Sequence, residues 1–139
     1  MDLNLSTELH ETLLFSLVQV FVAMNPEECT YFANPGSDDK FRKTFCFHWA
    51  DKYNNPINDW NMIAERLLSI PMAHEMIGFY TVADQTDNTL KVMRSYQYYA
   101  ASKISRRVSE MKWDDKSIYG GYVWHTTGSG KTMTSFKSA

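Results

Sequence analysis

Two cysteines in 139 residues leave little scope for cross-links or thiolate metal sites. Cys29 and Cys46 lack Cys-x-x-Cys spacing, so two free thiols in a reducing, cytoplasmic setting are the simplest expectation. There is no run of about eighteen apolar residues and no basic leader, so neither a membrane span nor a signal peptide is expected. Neither sign of charge dominates: 14 Lys and Arg stand against 16 Asp and Glu, a net charge of −2. That balance does not advertise a nucleic-acid surface. The small basic cluster of Lys103, Arg106 and Arg107 reads as a solvated helix face before it reads as a phosphate track. The histidines, His10, His48, His74 and His125, are scattered without metal-ligand spacing. No Gly-x-Ser-x-Gly elbow offers a serine nucleophile. Glu110-x-Lys112 has the form of half a nuclease signature, but it ends an amphipathic helical pattern and reads as a solvated helix terminus. No catalytic residue is assigned.

What is present is globular: 44% hydrophobic and 22% charged residues suit one modest domain with a real core. The informative stretch lies at the end, Tyr122-Val123-Trp124-His125-Thr126-Thr127-Gly128-Ser129-Gly130-Lys131-Thr132. An apolar, strand-like run enters a glycine-rich turn, and a helix-compatible tail follows. A phosphate-binding loop needs those parts in that order. Glycines let the backbone curl so that several N–H groups face one anion. A lysine reaches the β- and γ-phosphates, the adjacent hydroxyl ligates Mg²⁺, and the helix start adds partial positive charge. The candidate ATP- and Mg²⁺-binding residues are therefore Thr127, Gly128, Ser129, Gly130, Lys131 and Thr132, with Thr132 as the metal ligand. His125 occupies the position where the longer form of this loop has its first glycine; the shorter Thr-Gly-Ser-Gly-Lys-Thr is common in helicase-type motors.

Ahead of the loop, Leu9, Leu13 and Leu14 are spaced for a helix. Residues 17–24 are apolar and β-branched on both faces, which predicts a buried strand, with Gln19 as a backbone-bonded core residue. A turn at Asn25-Pro26-Glu27-Glu28 leads to a hairpin partner over residues 29–33. Residues 44–51 form another strand candidate. Asp59 is a suitable N-cap for a helix carrying Trp60, Ile63, Leu67 and Leu68 and stopped at Pro71. An apolar run at 77–82 precedes a polar turn at Asp87-Asn88, and residues 90–93 are extended. Tyr96, Ala100, Ile104, Val108 and Met111 make one apolar stripe on a helix from about 95 to 111. The expected border lies near residue 75, between a hairpin-rich part (1–75) and a motor-like part (76–139).

Gln97 stands 34 residues ahead of Lys131 (131 − 97). In helicase-type motors a glutamine before the phosphate loop reads adenine, because its amide both donates and accepts. A phosphate-loop ATPase also needs a downstream carboxylate and an arginine. The chain ends seven residues after Thr132 (139 − 132), so weak or no hydrolysis by these residues alone is expected.

Several blocks taken together resemble the R subunit of type I restriction enzymes, the motor and endonuclease subunit. They are Val18-Gln19-Val20-Phe21-Val22, Tyr31-Phe32-Ala33-Asn34, His48-Trp49-Ala50-Asp51, Asn55-Pro56-Ile57, Val92-Met93-Arg94-Ser95-Tyr96-Gln97, and residues 120–132. Trp-His-Thr-Thr before Gly-Ser-Gly-Lys-Thr is the most specific. Ser95 and Met133 depart from the family's usual proline and leucine. The resemblance implies an α/β fold that is incomplete. Residues 1–75 would be the C-terminal part of a nuclease domain with its connector, and 76–139 the first strand–loop–helix unit of a RecA-like ATPase domain. It also implies a parent that hydrolyses ATP, translocates double-stranded DNA and cleaves it, together with modification and specificity subunits. Its nuclease residues would precede Met1. Two alternatives stand beside it: a structural or interaction fragment that binds no nucleotide, and a kinesin-like motor, whose phosphate loop Thr-Gly-Ser-Gly-Lys-Thr-Met-Thr also resembles.

Overall fold

A computed structural model describes residues 14–36, 40–110 and 120–139. It is mixed α/β with two small antiparallel sheets. Strands β1 (Val20–Met24) and β2 (Cys29–Ala33) come first, then a short 3-10 helix (Lys43–Phe45) and helices α1 (Trp60–Arg66) and α2 (Ile70–Gly78). Strands β3 (Thr81–Asp84) and β4 (Thr89–Val92) follow, with helices α3 (Ser95–Ser109) and α4 (Lys131–Ser138) last.

The β1–β2 hairpin pairs Val22 with Tyr31. Its turn is held by the Asn25 side-chain oxygen, which accepts from the N–H groups of Glu27 and Glu28. The expectation of a strand buried on both faces is corrected: Val22, Ala23 and Met24 are exposed, and burial falls on Cys29 and Tyr31 of β2. A two-stranded ribbon can cover only one of its faces. Gln19 is likewise exposed, its amide donating to the Leu17 carbonyl. Of the N-terminal helix expected around Leu9 and Leu13, residues 1–13 lie outside the described residues; 14–16 are helical.

Residues 44–51 do not form a regular strand. They supply the end of the 3-10 helix and two isolated bridges, Tyr31 with Phe47 and Ala50 with Pro56. The reason is local. Asp51 accepts from the N–H groups of Tyr53 and Asn55, and Asn54 takes the left-handed conformation at φ 67. The chain therefore turns back on itself instead of pairing outward. Asp59 caps α1, accepting from Met62 N at 2.9 Å. Pro71 does not stop that helix; it lies in the first turn of α2, where a missing N–H costs nothing.

The core gathers around Trp49, which is fully buried and meets the rings of Tyr31, Tyr98 and Tyr99 at centroid distances of 5.8, 5.7 and 6.0 Å. Ile57, Ile63, Leu67, Met76, Tyr80, Val92 and Met93 complete it, so residues from both sides of position 75 share one core. The Tyr31 hydroxyl donates to the Met93 carbonyl at 3.0 Å across 62 residues of chain. On α3 the stripe expected at Tyr96, Ala100, Ile104 and Val108 is not the buried one. Ser95, Gln97, Tyr98 and Ala101 are buried, Val108 is exposed, and Met111 lies outside the described residues. Burial is confined to the first half of the helix, ending at Ala101, and includes Tyr98, which meets Trp49.

Candidate phosphate-binding loop

Helix α4 packs against α3, and the turn that opens it is tied to the first turn of α3. Gly128 and Gly130 have φ of 76° and 77°, values that side chains with a Cβ rarely adopt. The Thr126 carbonyl is the hub of the turn. It accepts from Ser129 N at 3.3 Å, Ser129 Oγ at 2.7 Å and Lys131 Nζ at 3.1 Å. The Gly130 carbonyl begins the α4 ladder by accepting from Met133 N and Thr134 N. Lys131, Thr132 and Thr127 are exposed, and the first turn of α4 carries no acidic residue. That leaves the partial positive charge of the helix start uncancelled.

Gln97 sits directly behind this turn, 5% exposed. Its Oε1 accepts from Arg94 N at 2.9 Å, capping α3 as an N3 glutamine does. Its Nε2 donates to the carbonyls of Ser129 at 3.1 Å and Gly130 at 3.3 Å. Contact is so close that a Cβ on residue 130 would lie 2.2 Å from Nε2, so a side chain there would require the Gln97 amide to move. The Tyr96 hydroxyl also donates to the Ser129 carbonyl, at 3.0 Å. The Tyr96 ring meets the His125 ring edge-on at 5.8 Å, and His125 Nδ1 is buried without a hydrogen-bond partner. Tyr96, expected only as a member of the apolar stripe, is thus also a polar contact of the loop; its hydroxyl, on the stripe position four places from Ala100, is the signal for it in the sequence.

The strand expected at Tyr122-Val123-Trp124-His125 is not formed: residues 120–126 belong to no described strand. An extended segment becomes a strand only by pairing its backbone, and no strand among the described residues lies beside it. Tyr122 and Trp124 are 91% and 86% exposed. The loop thus hangs on α3 and α4.

Between the loop and the body lies a cavity of about 390 Å³, within the roughly 300–1,000 Å³ of small-molecule sites. Its walls include Phe41, Phe45 and Phe47, with Arg94, Gln97 and Gly130 where it meets the loop. The sequence reasoning missed these phenylalanines. Three rings within seven residues, 41 to 47, were the signal. Among the described residues, no three His, Cys, Asp or Glu side chains cluster closely enough to hold a metal ion, and no helix is long and apolar enough to cross a membrane.

Residues 96–139, which include the glycine turn, Lys131-Thr132 and the glutamine that braces it, match the SWI2/SNF2 ATPase family. The relatives extend the match over most of the chain. It is 40% identical over 126 residues to a type I restriction enzyme endonuclease subunit of Staphylococcus aureus strain COL, SauCOLORF180P, covering 91% of this chain and 13% of that subunit. The SsaAORF53P endonuclease subunit of Staphylococcus saprophyticus is 38% identical over the same share of each chain. The EcoprrI endonuclease subunit of Escherichia coli is 29% identical over 114 residues, 82% of this chain and 36% of the relative. The chain is therefore homologous to the endonuclease subunits of type I restriction enzymes and fits a fragment of such a subunit, spanning about an eighth of the staphylococcal relatives' length. That homology replaces the kinesin-like alternative.

Proposed function

We propose that this chain is an ATP-binding segment of a type I restriction endonuclease R subunit. In that reading the parent couples ATP hydrolysis to movement along double-stranded DNA and its cleavage, beside modification and specificity subunits, in the cytoplasm. Residues 1–75 would be the tail of the nuclease region and its connector, and 76–139 the opening of a RecA-like ATPase domain. The observation that carries the proposal is the turn itself. Gly128 and Gly130 are in the left-handed region, Lys131 Nζ is parked on the Thr126 carbonyl at 3.1 Å, and α4 starts immediately behind.

The donors fit a triphosphate. Lys131 would leave a neutral carbonyl for a phosphate oxygen, an exchange that strengthens its hydrogen bond because both partners then carry charge. Backbone N–H groups of Thr127 to Gly130 would complete the cradle, that of Ser129 by leaving the Thr126 carbonyl as Lys131 does, and the exposed Thr132 hydroxyl would reach Mg²⁺. ATP with Mg²⁺ supplies the phosphoanhydride bond; these residues bind and orient its tail.

Calorimetric titration of the chain with Mg·ATP tests this. Wild type should bind, and Lys131→Ala should bind at least tenfold more weakly, roughly the loss of 1.4 kcal/mol or more. One observation favours the alternative of a structural fragment that binds no nucleotide: residues 120–126 are unpaired. Equally poor binding by wild type and Lys131→Ala would establish that alternative.

A further inference from the structure

We propose that Tyr96 is a positioning residue for the phosphate loop: its hydroxyl fixes the peptide between Ser129 and Gly130 so that the Gly130 N–H faces an incoming phosphate. This rests on the ATP-binding reading above, which gives Tyr96 no part.

Tyr96 touches the turn at two places. Its ring meets the His125 ring edge-on at 5.8 Å, ahead of the turn, and its hydroxyl donates to the Ser129 carbonyl at 3.0 Å, inside it. One stiff side chain from the first turn of α3 thus spans the loop from His125 to Ser129. A phenol has a single donor and can also accept. Here the Arg94 guanidinium donates to the Tyr96 oxygen, with Nη1 at 3.4 Å, so the hydroxyl proton is left for the carbonyl. A donor on its oxygen polarises the hydroxyl and strengthens the bond it gives.

What this bond fixes follows from the planar trans peptide. The C=O of Ser129 and the N–H of Gly130 share one plane and point in opposite directions. Holding the carbonyl toward α3 therefore turns the Gly130 N–H away from α3. Among the described residues, no acceptor pairs with that N–H. It is one of the donors the cradle needs. The reversed peptide would instead aim a carbonyl oxygen at the phosphate, and the two would repel. Glycine at 130, with φ of 77°, has the conformational freedom that makes such a reversal easy, so the backbone needs a lock here. The Gln97 amide holds the same carbonyl, at 3.1 Å. The adenine-reading part expected of Gln97 would draw that amide away, and the Tyr96 hydroxyl would then keep the peptide in place.

Tyr96→Phe tests this, since it removes the hydroxyl and keeps the ring against His125. Calorimetric titration should show Mg·ATP binding about fivefold more weakly than to wild type, the loss expected of one hydrogen bond. An amide NMR titration separates positioning from damage to the fold. In wild type the Gly130 amide proton should move downfield as Mg·ATP binds. In Tyr96→Phe that movement should be smaller, with the amides of the body where they are in wild type. Equal affinity of the two proteins would overturn the proposal. So would weaker binding with the Gly130 movement intact. Weaker binding with amides shifted throughout the body would overturn it too, by marking the hydroxyl as part of the fold alone. A wild-type protein that binds Mg·ATP without moving the Gly130 amide would overturn it with no variant needed. Wild type failing to bind Mg·ATP would overturn the ATP reading and this inference with it.

Discussion

The body of the molecule and its loop end are held by different forces. From Cys29 to Ala101 the chain is organised by burial. Trp49, Tyr31, Ile63 and Met93 are fully enclosed, and ring meets ring from Tyr31 through Trp49 to Tyr98. From 120 to 139 only Thr134 is buried, and Tyr122 and Trp124 stand in solvent. There the backbone is shaped by left-handed glycines and by polar side chains reaching over from α3. The region whose residues spell out a chemical task is the one with least core of its own. The residues without an obvious task make the platform that aims Gln97 and Tyr96 at it.

The sharpest way to break this contrast is to hollow the platform. Trp49→Ala should cost roughly 3–5 kcal/mol, the range for emptying a large aromatic site. That is a large share of a typical domain's 5–15 kcal/mol, so urea denaturation should show a collapsed midpoint and the loop's binding should vanish with the fold. Tyr31→Phe keeps the ring and removes only the hydroxyl that serves the Met93 carbonyl. A loss of about 1–3 kcal/mol is expected, because the carbonyl is left buried and unpartnered. An unchanged melting temperature would show that the hairpin does not need this bond to hold α3.

Gly130→Ala probes the other side. The left-handed conformation alone costs an alanine roughly 1–2 kcal/mol, and its Cβ would meet Gln97 Nε2 at 2.2 Å. The melting temperature should fall by several degrees while affinity for Mg·ATP falls by at least tenfold; equal affinity with wild type would show that the turn tolerates a Cβ at this position.

The smallest effect lies in the β3–β4 hairpin. There the Lys91 ammonium bonds to Asp84, and this with the Thr86 N–H holds the Asp84 carboxyl down at about 2. Asp87 is lowered too, chiefly by the Thr89 side chain, and Lys91 is raised by the same acids. Because the folded carboxyl titrates below its unfolded value near ~4, its stabilisation is fully present above about pH 4 and fades as pH falls toward 2. Thermal melts across that window should show a slight acid-side loss that Asp84→Asn removes. Ligand affinity at neutral pH should be unaffected by that variant.

Much of the fold was legible wherever one residue type decides a local outcome. Asp59 as a cap, the Asn25-Pro26 turn and the Asp87-Asn88 turn each act through their own side chain or φ, and each stands where expected. What failed depended on partners elsewhere. On α3 burial ends at Ala101 and includes Tyr98, which meets Trp49, 49 residues earlier in the chain. Residues 44–51 are rich in aromatic residues, which suits a strand, but that composition does not report that Asp51 and Asn54 will fold the chain back. A proline ends one helix and begins another equally well, so Pro71 by itself does not distinguish the stop of α1 from the start of α2. At the candidate site the loop residues and Gln97 were named from sequence. Their mutual contact was not, since nothing along the chain says that an amide 33 residues away will press on Gly130.

The hydrogen bond from Tyr31 to Met93 closes a loop of 62 residues, and it lands at the entrance of α3, just before the residues that brace the glycine turn. Distant closures are slow to form because the chain must first be brought together. The closures that tie Tyr96 and Gln97 to the glycine turn span only 32 and 33 residues. On length alone they should form before the hairpin docks on the helix entrance, so in a refolding experiment burial of Trp49 should not precede competence to hold a triphosphate.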